Sequence, residues 1–193
     1  FVGYAVITFM PSFLNRSYGM GYAESGFWLG IVVGIFGSAG FFFGGYIADQ
    51  VGRGGQRRAF QFLAAAMLCA AVANAAVFLT GSAVVCLALF TLPMIVSNFY
   101  LAPVLAQAQG LVSLRMRALA SALVLLVINT IGLGLGPLTA GLLSDLLEPR
   151  FGAESIRYSL LAICVAILPW AAWHYYCAGR TVEADLARAT END

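Results

Sequence analysis

Few residues in this chain can do chemistry, and the densest group lies in GGYIADQVGRGGQRR, residues 44 to 58, where Asp49 stands near Arg53, Arg57 and Arg58 among five glycines. A glycine loop that cradles phosphate, an arginine-glycine tract that binds RNA, and a polar turn between membrane spans could all look like this. The phosphate reading fails on spacing: no strand pattern precedes it, Gly52 and Gly54 lack a third glycine at the required position, and the P-loop lysine is missing. RNA tracts are long and repeated, whereas this one is wedged between two apolar runs, so nucleic acid is not an expected partner. Catalysis fares no better. Nucleophilic catalysis needs a nucleophile and a base within hydrogen-bond reach, and the only deep pair, Ser38 and His174, lies at different distances from the charged residues that bound the apolar runs. No enzyme is expected. Cys69, Cys86, Cys164 and Cys177 show no C-x-x-C spacing and read as small packing hydrophobes.

The elements that must hold these residues are membrane helices. The chain is 61% hydrophobic and 10% charged, against about 25% charged residues in soluble domains. Residues 25 to 48, 59 to 114, 118 to 144 and 158 to 179 contain no Asp, Glu, Lys or Arg. About 20 apolar residues cross a bilayer, so three of these runs hold one span each, and the second holds two if it turns near Thr80-Gly81-Ser82. Residues 1 to 14 read as the second half of a further span. The first residue is Phe1 and no signal-peptide pattern follows, so the chain is expected to be the tail of a longer protein. Lysine is absent, and arginine sets the orientation: the loops 49 to 58 and 109 to 117 and the tail 179 to 193 hold seven of the ten arginines. The positive-inside rule places these in the cytoplasm, with the C-terminus inside. The run WAAWHYY, residues 170 to 176, fits an aromatic belt, and His174 within it reads as an interfacial anchor.

Gly45-Tyr-Ile-Ala-Asp49 and Gly141-Leu-Leu-Ser-Asp145 share a pattern 96 residues apart, at the same end of the second and fifth expected spans. Three spans repeated in inverted orientation is a common arrangement in secondary transporters. Each aspartate would meet the negative end of a helix macrodipole, so a partner is expected: for Asp49, one of Arg53, Arg57 and Arg58 or the N-terminus of another helix. Arg115 and Arg117 have the mirror problem before a helix N-terminus.

The residues from Gly45 to Arg53 resemble the loop signature of the major facilitator superfamily, with Gln50 where a basic residue is usual and Gly54-Gly55-Gln56 inserted before Arg57 and Arg58. The segment from AQAQGLVSLRMRALASALVLLVINTIGLGLGPLTAGLLSDLLEPRFGAESIRYSLL, residues 106 to 161, resembles the superfamily's spinster-like branch, as does PSFLNRSYGM, residues 11 to 20. The resemblance implies an all-α membrane protein, helices 7 to 12 of a twelve-helix fold, with 1 to 178 as the transmembrane half and 179 to 193 as a cytoplasmic tail. It also implies alternating access around a central site, an absent N-terminal six-helix half as partner, and a bacterial inner-membrane location. Lysolipid and sphingosine-phosphate export are associated with that branch.

Independently of the resemblance, Gly26, Gly30, Gly34, Gly40 and Gly44 carry G-x-x-x-G spacing, and Gly132, Gly134 and Gly136 weaken the fifth helix before Pro137. Asn98 and Asn129 are candidate cavity amides, with interhelical hydrogen bonding as the competing role. Thr8, Ser38 and Thr130 are further cavity candidates, and Asp49, Arg53, Arg57, Arg58, Arg115 and Arg117 are gate candidates. Phe41, Phe42 and Phe43 offer an apolar wall, although three consecutive helical positions should not share one face. No acid lies at mid-span, so coupling to protons would rest on the absent half, and no cofactor is expected. These walls suit an amphipathic or lipid-like solute; another small organic solute, or a non-transporting receptor of the same fold, is the alternative.

Overall fold

The computed structural model describes residues 1–191, which are helical almost throughout. Helix α1 (Val2–Tyr18) stops at Gly19, whose φ of 69° lets its N–H close onto the Asn15 carbonyl while the N–H of Met20 closes onto that of Leu14. Helix α2 (Tyr22–Ile31) passes without a break through a π-helical turn (Val32–Gly37) into α3 (Ser38–Gly52). A turn at Gly54 and Gly55 leads into α4 (Gln56–Leu79), and residues 80 to 82 lead into α5 (Ala83–Val96). Four irregular residues then precede α6 (Leu101–Gly110). A 3-10 turn (Leu114–Met116) opens α7 (Arg117–Asn129), which runs through a second π-helical turn (Thr130–Leu135) into α8 (Gly136–Phe151). Gly152, with φ 55°, begins a short 3-10 turn (Gly152–Glu154) before α9 (Ser155–Glu191).

Among the described residues, four helical stretches are long and apolar enough to cross a membrane: Tyr22–Gly52, Gln56–Leu79, Ala83–Gly110 and Leu114–Ala189. The last includes the short turn at Gly152 and takes in both of the runs expected at 118 to 144 and 158 to 179. The long uncharged run from 59 to 114 divides at Thr80-Gly81-Ser82, as its turn residues suggest. The second of the two spans expected in that run is not one regular helix: it is broken at residues 97 to 100. Pro93 and Pro103 bracket the break and each removes a backbone donor. The chain tightens between them, with the N–H groups of Asn98 and Phe99 reaching back only three residues to Ile95 and Val96.

The core is the seam between α4 and α9, joined by α1. Leu63, Ala66, Met67, Ala70, Ala73, Asn74 and Val77 of α4 recur at helical spacing and are buried, facing Ile156, Leu160, Ile163, Cys164 and Leu168 of α9. In lipid such a seam is held by close packing rather than by exclusion of water, which explains the abundance of alanine. Buried Asn74 satisfies its amide on the Ala70 carbonyl at 2.8 Å. The four cysteines are all free thiols, two of them buried.

Helix α3 is different. It buries only Gly40, Gly44 and Ala48, a stripe at i, i+4 and i+8. A methyl group on Gly40 would collide with the Ile95 carbonyl, and one on Gly44 with the Phe99 backbone. Because the buried stripe is so narrow, Phe41, Phe42 and Phe43 are all exposed, spread around the rest of the helix rather than sharing one face. In the same manner Gly132 and Gly136 seat the π turn and α8 on α1: a methyl group on Gly136 would lie 2.6 Å from the Phe1 carbonyl oxygen, and one on Gly132 would lie 2.7 Å from Tyr4 Cδ2.

Candidate functional site

The helical irregularities lie near mid-rod, and the two asparagines sit on them. Asn98 occupies the break between α5 and α6, where its Nδ2 donates to the Met94 carbonyl at 2.6 Å. The same nitrogen would lie 3.7 Å from a methyl group on Gly37, the last residue of the first π turn. Asn129 is the residue before the second π turn. Its Nδ2 donates to the Leu125 carbonyl at 2.8 Å, and its Oδ1 accepts the Tyr4 hydroxyl of α1 at 2.7 Å. Both amides therefore have partners within the chain, and Asn129 makes an interhelical bond. Single π turns widen the helix by one residue and recur at functional sites. Thr8 on α1, Ser38 at the start of α3 and Thr130 at the start of the second π turn are exposed. Within these residues the structure joins Asn129 to Tyr4 and leaves Thr8, Ser38 and Thr130 on open surface.

The charged turn is arranged more loosely than its sequence suggests. Helix α3 continues to Gly52, so Asp49 lies nearly a turn inside the helix, and its carbonyl accepts the Arg53 N–H at 3.1 Å. Its carboxylate forms no ion pair among the described residues. Arg53, Arg57 and Arg58, offered as its partners, are all exposed and unpaired with it; Arg58 lies over Gly54 instead, where its Nη1 would be 2.5 Å from an added methyl group. Asp49 and Arg53 instead line a cavity of about 370 Å³ with Gln56, Pro103 and Gln107. Gln107 Nε2 donates to Gln56 Oε1 at 2.6 Å, tying α6 to the start of α4. Arg115 lies in the 3-10 turn and Arg117 begins α7, both exposed. His174 is exposed and meets Trp170 edge to face.

Sequence reasoning missed the tightest polar cluster, at the opposite end of the helices. Arg157 Nε lies 2.5 Å from Glu154 Oε2, and Arg157 Nη1 donates to the Thr80 carbonyl at 3.2 Å. The Tyr18 hydroxyl donates to that same carbonyl at 2.8 Å, and Ser17 Oγ donates to Glu154 at 3.2 Å. The guanidinium carbon lies 5.4 Å from the Phe13 ring centroid and 5.6 Å from that of Tyr18. Alongside, Ser144 and Ser155 share a hydrogen bond of 3.0 Å with both residues buried. Four segments thus meet on one arginine. The signal was available: Arg157 is the lone cation at the head of a long uncharged run, and Ser17-Tyr18 directly precedes a helix-stopping glycine.

The arrangement, with long apolar helices and glycine-seated crossings, is that of a helical integral membrane protein. No family model matches the chain. Over 184 residues it is 30% identical to an MFS-type efflux pump of Mycolicibacterium smegmatis, a match covering 95% of this chain and 43% of that protein. Its fold superimposes on a bacterial homologue of the human lysosomal transporter Spinster, in an inward-facing and unoccupied conformation, with a TM-score of 0.83 and 25% identity. That match covers 96% of this chain and 46% of the other. The occupied inward-facing form gives 0.81 and 26%. The chain is similar to members of the major facilitator superfamily, and its resemblance to the spinster-like branch is borne out. It spans about half the length of the relatives it matches, and these relatives are transporters rather than enzymes.

Proposed function

We propose that the chain is the C-terminal six-helix half of a secondary transporter that moves an amphipathic or lipid-like small molecule by alternating access. The observation that carries the reading is the symmetry of the irregularities. The first π turn begins at Val32 and the second at Thr130, 98 positions later, close to the 96 that separate Asp49 from Asp145. Gly40 and Gly44 seat one π-bearing rod on the rod formed by α5 and α6, while Gly132 and Gly136 seat the other on α1. In a 3+3 inverted repeat, this is the middle helix of each triplet packed against the first helix of the other. The absent N-terminal half would complete the transporter, and the exposed faces of α2, α3 and α7 would then meet it, substrate or lipid.

In this reading Asn98 and Asn129 border the central cavity with Thr8, Ser38 and Thr130, and orient the polar end of the solute. The mid-rod surroundings are otherwise apolar, which suits an acyl or aromatic body. Asp49, Arg53, Arg57, Arg58, Arg115 and Arg117 would form the gate, and the seven arginines at that end support a cytoplasmic side for it in a bacterial inner membrane. Proton coupling, where present, would act through the other half. Transport is tested by reconstituting the chain with its complementary N-terminal half in vesicles and following accumulation of a fluorescent lysolipid. Accumulation should require both halves and should fall when Asn98 or Asn129 becomes leucine. Equal accumulation by residues 1 to 193 alone would overturn the two-half reading.

A further inference from the structure

Helix α9 is longer than a membrane requires. Its 37 residues rise about 55 Å at 1.5 Å each, whereas the hydrocarbon core is about 30 Å thick. The surplus does not project freely. Gly179, Val182, Glu183 and Leu186 recur at i, i+3, i+4 and i+7 and so share a face. Gly179, Glu183 and Leu186 touch the Arg57 end of the bundle, and Val182, between them in sequence, is buried. A methyl group on Gly179 would lie 2.8 Å from Phe60 Cβ, and Val182 is only 5% exposed. Glu183 Oε1 accepts the backbone N–H of Arg57 at 3.3 Å, at the second residue of α4, where the first-turn donors lack helical partners. A methyl group on Gly110, the last residue of α6, would lie 3.2 Å from Leu186 Cδ2. The positive φ of Gly55, 114°, keeps that position free of a side chain where the Glu183 carboxylate approaches.

We infer that the C-terminal extension of α9 is a strap that holds the start of α4 and the end of α6 together, and so sets how readily the turn bearing Asp49 and Arg53 can move. Three ties converge there. Glu183 holds the first turn of α4, Leu186 covers the end of α6, and the Gln107 to Gln56 hydrogen bond joins α4 to α6 directly beneath them. The 370 Å³ cavity lined by Asp49, Arg53, Gln56 and Gln107 lies against the last of these ties. Its walls therefore cannot separate unless the strap lifts or stretches. The opposite face of the extension, with Thr181 and Arg188, is exposed, which leaves the strap reachable by a lipid headgroup or a soluble factor. The strap stands on these contacts alone; its effect on transport rests on the gate proposed above.

Hydrogen exchange on the intact chain in detergent separates the two. Glu183→Ala should speed exchange at the Arg57 amide and its neighbours by about threefold to tenfold, the range a net hydrogen bond is worth, while Glu183→Gln, which keeps an acceptor, should restore most of the protection. Leu186→Ser should loosen residues 107 to 110 in the same way. Unchanged exchange in both Glu183→Ala and Leu186→Ser would overturn the strap. In vesicles containing both halves, the same variants should alter the transport rate with the solute affinity retained. Faster exchange with an unaltered rate would overturn the coupling to the gate. A wild-type pair that does not transport would count against the transporter reading and leave the strap standing.

Discussion

The two ends of this helical bundle hold their charges in opposite ways. At one end Arg157 is 16% exposed in its side chain, paired with Glu154, bonded to the Thr80 carbonyl and set over two aromatic rings. At the other, Arg53, Arg57 and Arg58 are exposed, and Asp49 has no ionic partner among the described residues. Burying a guanidinium is costly unless it is paired and hydrogen-bonded, so moving Arg157 away from Glu154 and the Thr80 carbonyl would be unfavourable. Exposed, unpaired charges lose little when they move. The Arg157 end is built to keep its geometry, and the Arg57 end can exchange partners.

The most severe way to break this contrast is to remove the central cation. Arg157→Ala would leave Glu154 without its partner and open the junction of α1, the turn between α4 and α5, and α9. A loss of about 3 kcal/mol is expected, in line with breaking a partly buried ion pair by removing one member. The measurement is thermal melting of the purified chain in detergent. Glu154→Gln should cost less, since Gln can still accept from Ser17 Oγ. If both variants melt with wild type, the Arg157 cluster is surface decoration and the contrast collapses.

The glycine crossings come next and bear on the middle of the rods. Gly40→Ala forces a methyl group into the Ile95 carbonyl, and Gly136→Ala forces one against the Phe1 carbonyl. Neither obstacle is a flexible side chain, so backbones must shift. Overpacking of this kind costs about 1 to 3 kcal/mol. The two should cost similar amounts if the rods are repeats of one another. Gly34→Ala is the control, because nothing lies within 4 Å of that position.

How much of this was legible in the sequence follows from the range of the forces involved. Membrane helices are declared by unbroken apolar length, a local property, so the turn at Thr80-Gly81-Ser82 could be placed from composition. The weakening at Gly132, Gly134 and Gly136 was visible too, and a π turn falls on it. The break at residues 97 to 100 was not anticipated, because Pro93 and Pro103, which bracket it, entered no part of the sequence reading. The Arg157 cluster was missed for a different reason: a lone cation at the head of an uncharged run does not name its partners. Its members come from residues 13 to 18, 80, 154 and 157, and only packing brings them together. The expected pairing of Asp49 with a nearby arginine did not appear, since proximity in sequence says nothing about where a glycine-rich turn points the side chains. The strap was hidden by the same logic: residues 179 to 193 read as a tail, while α9 continues unbroken to Glu191, and residues 192 and 193 lie outside those described.

A smaller effect is expected at Asn129. Its interhelical bond with Tyr4 is of a type that averages about 0.6 kcal/mol in membranes. Tyr4→Phe should therefore lower the melting temperature only slightly. If Asn129 serves the solute as well as the helix pair, Asn129→Leu should weaken solute binding more than Tyr4→Phe does, because only the first removes the amide. Equal losses in affinity would assign Asn129 to the helix contact alone.

The smallest effect on stability is expected at Asp49, where the contrast between the two ends is sharpest. Asp49→Asn removes a carboxylate that is exposed and unpaired, so nothing is left buried without a partner. Surface substitutions of this kind stay within about 0.5 kcal/mol. Relief of an unfavourable charge in the last turn of α3 could even offset that, so the melting temperature should hold or rise slightly. Transport should respond differently. A carboxylate unpaired here is free to engage a cation or a helix N-terminus contributed by the other half, and its neutralisation would remove that latch from one of the two gate states. The expected result is a variant as stable as wild type whose reconstituted pair shows changed thiol accessibility at cysteines placed on either side of the membrane. A large drop in stability would instead mean that the Arg57 end is locked in its geometry just as the Arg157 end is, and the division of labour between them would fail.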